Sequence, residues 1–212
     1  MSQIISAKTK CRCCGHKFDH KVLLSTNQFG VPDLDMRPPE MMRSTMDMWI
    51  TVCPQCGFVG SDGDKRSKLY RDIVISDAYR TCDGNNFSEK LAADFYRRGL
   101  IELALNANEK AFHSFLSAAW VFDDLNDDVN SVICRRKALS AAEKLTAYPE
   151  EFVLILLDVY RRAGLFREIP EKLREHRFGN AMLAGIMRFQ LDRAAEGDTA
   201  CYTIDDAKNI KE

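Results

Sequence analysis

Two short motifs, Cys11-Arg12-Cys13-Cys14-Gly15 and Cys53-Pro54-Gln55-Cys56-Gly57, constrain this chain more than any other feature. Each sets two thiols three positions apart, so one tight turn can present both sulfurs to a single ion at about 2.3 Å. The glycine that follows can take positive φ, which lets backbone N–H groups turn toward the sulfurs and disperse thiolate charge. Two such pairs supply four sulfurs, the donor set of a closed tetrahedral zinc site. Cys11, Cys14, Cys53 and Cys56 are therefore the expected metal ligands. Zn2+ is expected in a structural role, with iron as the chemical competitor for four thiolates.

Cys13 complicates the first motif. Pairing Cys11 with Cys14 reproduces the spacing of Cys53 and Cys56 and puts Gly15 where Gly57 stands; choosing Cys13 breaks both correspondences. Cys13 thus reads as a spectator thiol, with ligand exchange or redox sensing as the alternative. His16 and His20 read as polar residues of the first hairpin, with ligand replacement as their alternative. A Cys-x-x-Cys pair also serves thiol–disulfide exchange, but the second matched pair favours metal. Four thiolates leave no open coordination position, which argues for structure over catalysis.

The 212 residues suffice for one ordinary domain and a small one. Hydrophobic content of 46% beside 29% charged residues predicts a packed core rather than disorder. A formal net charge of −1 disfavours a globally basic binder of nucleic acid or of membrane surfaces. No apolar run reaches the length of a membrane span. The first residues, Met1-Ser2-Gln3-Ile4-Ile5-Ser6-Ala7-Lys8, lack the apolar stretch of a signal peptide. A cytoplasmic location follows as the expectation, and there thiols stay reduced.

The pattern changes near residue 62. Residues 1–62 hold both motifs and four of the six prolines. Strands are expected at 22–26 and 48–52, with an ordered, proline-rich loop over 29–39 lying across the metal module. Beyond Gly60-Ser61-Asp62-Gly63-Asp64, residues 63–212 show helical periodicity. A first helix is expected around Leu69–Val74, with a short strand at 72–75 as its alternative. Helices are then expected from Ser88 as N-cap, over 111–125, 128–147, 150–163 and 166–176, and over about 180–195, before a polar, fraying tail. The order Leu156, Tyr160, Gly164, Phe166, Ile169, Leu173 matches a tetratricopeptide-type helix–turn–helix, and Leu116, Trp120, Asn126, Val129, Ile133 is a weaker copy. The fold class is thus α+β: a small N-terminal four-cysteine zinc ribbon, then an all-α tetratricopeptide-like domain.

Other chemistry is sparse. Asp33, Asp35 and Arg37 could serve a site, together with Asp47 or His20, but local pairing of Arg37 with an aspartate is the simpler reading. No serine nucleophile or phosphate loop accompanies them. Met36, Met41, Met42, Met46 and Met48 suit a seam between ribbon and helices, or an adaptable partner groove. Residues 1–60 carry seven Lys/Arg against five Asp/Glu, an excess too small to make nucleic acid the leading partner. Trp49 and Phe58 are expected to pack the ribbon rather than stack bases. Arg135-Arg136-Lys137 and Arg161-Arg162 read as solvated helix faces, and Asp123-Asp124 with Asp127-Asp128 as an acidic turn able to take a basic peptide. Cys82, Cys134 and Cys201 lack paired spacing and read as buried or incidental thiols.

Taken together, the N-terminal Cys-x-x-Cys-Gly, the long insert, the run Trp49-Ile50-Thr51-Val52-Cys53-Pro54-Gln55-Cys56-Gly57-Phe58 and the helices resemble an uncharacterised bacterial family, domain of unknown function 2225. The resemblance implies a zinc ribbon fused to helical repeats and carries no activity with it. The expected function is a non-enzymatic zinc-binding module whose helices bind a protein or peptide partner. A nucleic-acid-associated ribbon is the alternative, and an enzyme built on Asp33, Asp35 or His20 the third.

Overall fold

Each knuckle is the turn of a β-hairpin. In the computed structural model, which describes residues 2–208, β1 (Gln3–Lys10) and β2 (Lys17–Ser25) pair antiparallel with Lys10 opposite Lys17. Strands β3 (Thr51–Val52) and β4 (Val59–Gly60) pair likewise, with Val52 opposite Val59. Residues 11–16 and 53–58 are therefore connections of equal length. The strand expected over 48–52 is shorter than its β-forming sequence promised. Met46–Met48 makes a 3-10 turn instead, and only Thr51 and Val52 pair.

The insert carries one short helix, α1 (Glu40–Arg43). After β4 come α2 (Leu69–Ile75) and α3 (Asp77–Thr81). Ser76 separates them, in extended conformation, its hydroxyl accepting from the Tyr79 N–H at 3.2 Å as an N-cap. The larger helices follow: α4 (Lys90–Ala104), α5 (Asn108–Asp124), α6 (Asp128–Ala142) and α7 (Phe152–Arg162). Glu89, not Ser88, caps α4. Helix α6 ends at Ala142 rather than 147.

The expected helix over 166–176 does not form as one piece. Ile169, next to Pro170, is extended (φ −59°, ψ 118°), as the proline ring demands. A 3-10 turn at Phe166–Glu168 and a short α8 (Glu171–Arg174) stand in its place. Helix α9 (Ala181–Ala195) starts on Asn180, whose side chain accepts from the Met182 and Leu183 N–H groups. The segment after it packs instead of fraying. Tyr202 meets Phe189 edge to face, Thr203 bridges Asp33, and α10 (Ile204–Lys208) closes the described chain.

Helices α4, α5, α7 and α9 end in one way. Asn106, Asn126, Gly164 and Gly197 take positive φ, and the next N–H returns to a carbonyl five residues back: Ala107 to Glu102, Asp127 to Phe122, Leu165 to Tyr160, Asp198 to Arg193. This cap satisfies carbonyls that the helix leaves open and reverses the chain within three residues. The turns set α4 against α5 and α5 against α6. At the α4–α5 crossing, a Cβ on Gly99 would stand 2.6 Å from the Phe115 ring. One contiguous apolar cluster runs from Cys11, Cys53 and Phe58 through Tyr70 and Tyr79 into α4–α9.

Candidate metal centre

Because the two connections have equal length, equivalent atoms can be compared. The Cys11 N–H donates to the His16 carbonyl at 2.8 Å, and the Cys53 N–H to the Phe58 carbonyl at 2.9 Å. The Gly15 N–H reaches the Cys11 carbonyl at 3.1 Å, and the Gly57 N–H the Cys53 carbonyl at 2.9 Å. Both glycines have positive φ, 82° and 73°. In the first knuckle the N–H groups of Cys13 and Cys14 lie 3.4 Å from Cys11 Sγ. In the second, those of Gln55 and Cys56 face Cys53 Sγ. His16 and Phe58 contribute their N–H groups to Cys14 and Cys56 in the same way. One sulfur-cradling turn has been built twice.

The hairpins bring Cys11, Cys14, Cys53 and Cys56 together, with all four sulfurs within 4.8 Å of one another. Cys11 Sγ and Cys56 Sγ are 3.7 Å apart, as are Cys14 Sγ and Cys53 Sγ. An ion bound tetrahedrally at about 2.3 Å sets its sulfurs about 3.8 Å apart, so the donor set fits one metal ion. Cys11 and Cys53 are buried, Cys56 is half-buried and Cys14 is exposed. Cys13 lies outside the group, at the position that Gln55 holds in the second knuckle. The His16 ring lies parallel to that of Phe18, and His20 Nδ1 is 3.0 Å from the Ala7 carbonyl across the hairpin; neither joins the sulfurs.

The second knuckle is fastened to the helices by contacts that no local pattern announced. The Tyr79 hydroxyl donates to the Gly57 carbonyl at 2.8 Å and accepts from the Val59 N–H at 3.0 Å. Burial raises the Tyr79 pKa, so the hydroxyl keeps its proton and its donor role. Phe58 packs on Tyr70 with ring centroids 4.5 Å apart. Arg98 on α4 is buried and holds Asp64 through both terminal nitrogens, at 2.5 and 2.9 Å, and Glu102 through Nε at 2.8 Å. Phe58 is thus closed to stacking, and Trp49 is half-buried, edge-on to Phe95 and bonded to Thr45.

Asp33, Asp35 and Arg37 belong to a second assembly. Arg37 pairs with Asp33 at 2.6 Å, as its local spacing led one to expect. Their loop, however, docks on the helices rather than across the metal module. Asp35 accepts from Trp120 Nε1 at 2.9 Å and from Arg162 at 3.2 Å, with Arg135 at 3.6 Å. Asp123 receives both terminal nitrogens of Arg135, at 2.9 and 2.7 Å, and Arg162 at 2.9 Å. Burial would raise the Asp123 pKa, but Arg135 and then Arg162 hold it down at about 2. These arginines are not solvated. Arg135 and Arg161 are fully buried, Arg161 bound to Asp158 and to the Asp198 and Ala200 carbonyls. The acidic turn expected to take a basic peptide gives Asp123 to this network, and Arg37 and Arg43 both reach Asp124. Asp33 and Asp35 therefore neutralise arginines, and His20, tied to the hairpin, does not meet them.

Of the five methionines of the insert only Met46 is buried, while Met36 and Met41 are exposed. Cys82 and Cys134 are buried thiols; Cys201 lies 3.7 Å from Arg37. No helix among the described residues is long and apolar enough to cross a membrane. Comparison of the chain with protein-family models, with curated proteins and with solved structures gave no match.

Proposed function

We propose that this chain is a non-enzymatic zinc-binding interaction module. Cys11, Cys14, Cys53 and Cys56 hold one structural Zn2+, and the helical part presents a surface to a protein or peptide partner. The observation that carries the proposal is the pair of matched 3.7 Å sulfur–sulfur contacts between two identical turns. Four thiolates complete a tetrahedron and leave no position for water or substrate. What the ion supplies is a cross-link between hairpins that the sequence sets 38 residues apart, from 15 to 52.

The energetics support that role. Isolated two-stranded hairpins are marginal in water, whereas a structural zinc contributes about 10–16 kcal/mol of apparent binding free energy in small zinc-folded peptides. The buried carboxylates Asp35 and Asp123 are both taken up by arginines, which supports a role other than acid–base catalysis. Successive helix hairpins in α4–α6 are the element from which tetratricopeptide-like arrays stack. Membership in the family of domain of unknown function 2225, and a cytoplasmic setting in which the thiols stay reduced, belong to the same proposal.

Cobalt substitution tests the centre. One Co2+ per chain should give intense thiolate-to-metal charge-transfer absorption and tetrahedral ligand-field bands, both erased by equimolar Zn2+. A weak octahedral spectrum would overturn the four-thiolate assignment.

A further inference from the structure

A cavity lined in part by Cys13, Cys14 and Cys56 adjoins the candidate metal centre. It is an open groove of about 820 Å³ between the second knuckle and α2, α3 and α4. Its lining is rich in cations. Arg71 from α2, Arg80 from α3, and Lys90 and Arg97 from α4 line it, against one carboxylate, Asp94, and the sulfurs of Cys13, Cys14 and Cys56. Asp94 is buried and already shared between Lys90 and Arg97, with Arg97 at 3.1 Å. Arg71 and Arg80 are exposed, and among the described residues their side chains make no hydrogen bond or ion pair. The lining also has an apolar part: Ile75, 57% exposed, and half-buried Val52.

We infer that this groove binds an acidic peptide segment that carries an aliphatic side chain. The inference rests on the reading of the chain as an interaction module and names the chemistry of its partner. Arg71, whose charge acts on the Cys13 sulfur, and Arg80 have no carboxylate partner among the described residues, and guanidiniums can hold a carboxylate through two parallel hydrogen bonds. Ile75, in the lining of the same groove, gives an aliphatic side chain an apolar contact. The volume falls in the range of ligand-binding clefts, about 300–1,000 Å³. Single-stranded nucleic acid fits less well, because binding of that kind uses exposed aromatic faces. The aromatic residue of the groove, Tyr79, is only 3% exposed, and its hydroxyl is committed to the knuckle.

The test is fluorescence anisotropy with the intact metal-loaded chain. The probe is a labelled peptide of two leucines flanked by glutamates, compared with its glutamine counterpart and with a labelled oligothymidylate. The glutamate peptide should bind at least about tenfold more tightly than the glutamine one, and more weakly as salt rises. In the double variant Arg71→Glu, Arg80→Glu that preference should vanish while metal content and helical circular dichroism stay unchanged. Equal binding of the two peptides, an unchanged affinity in the variant, or tighter binding of the oligonucleotide through the same arginines would overturn the inference. Metal content measured in the same samples separates the two readings. A chain that holds metal but ignores the peptide defeats this inference alone, whereas one without metal defeats the module itself.

Discussion

Tyr79 shows how one side chain can support a candidate metal site without belonging to its donor set. Its hydroxyl satisfies the Gly57 carbonyl and the Val59 N–H at once, on either side of Phe58. Tyr79→Phe leaves both backbone groups without that partner, and the loss of a buried partner costs about 1–3 kcal/mol. We expect the variant to retain its helical content and to release metal to a competing chelator at lower chelator concentration. Unchanged chelator sensitivity would show that the clip does not support the knuckle. The four sulfurs themselves were legible in the sequence, because spacing and glycine repeat in both motifs. Tyr79 was not. It lies 22 residues beyond Gly57, and nothing in its neighbourhood distinguishes it from a core tyrosine.

At the scale of elements, Gly99 reverses the usual expectation. An alanine in place of a mid-helix glycine normally stabilises by about 1 kcal/mol. Here the added Cβ would lie 2.6–2.8 Å from three atoms of the buried Phe115 ring. Gly99→Ala should therefore destabilise by about 1–3 kcal/mol, the cost of overpacking, seen as a lower urea midpoint. A higher midpoint would mean that α4 and α5 can part at little cost.

Long amphipathic helices were the easiest elements to read. In α7, expected over 150–163, the apolar residues Phe152, Val153, Leu156, Leu157 and Tyr160 are all buried. Helix α6 was legible only in part: Leu139 and Ala142 are buried as its apolar spacing implies. At its start Val129 is 73% exposed, while Arg135, on the same stripe as Ser131, Ala138 and Ala142, is buried. A cation inside an otherwise buried stripe was the available signal for a partner, and the aspartates that answer it come from distant segments. The broken helix at 166–176 failed for a local reason: Pro170 disfavours helix at Ile169, so the piece before it could not continue through.

Across the whole molecule, the arginine–aspartate network joins the 33–37 loop to α5, α6, α7 and the segment after α9. It makes stability depend on acid. The folded pKa of Asp123, about 2, lies below its ordinary 3.8. The native state therefore binds this proton less readily than the unfolded state does. The associated stability, about 2 kcal/mol, is present above pH 4 and lost as the pH falls through 2. Urea midpoints should drop across that window in the parent chain. Asp123→Asn should start from a lower midpoint at pH 6 and fall less steeply between pH 4 and 2. A variant with the parent's acid profile would remove Asp123 from this account.

The network ties down the loop of the N-terminal segment, and the proposed metal centre would cross-link its hairpins. The central claim, that four particular thiolates and not the fifth hold the ion, is met most directly by elemental analysis of the purified chain and five single serine variants. We expect one zinc per chain in the parent and in Cys13→Ser, and less than stoichiometric zinc in Cys11→Ser, Cys14→Ser, Cys53→Ser and Cys56→Ser. A parent chain without metal, or a Cys13→Ser variant as depleted as the other four, would contradict it.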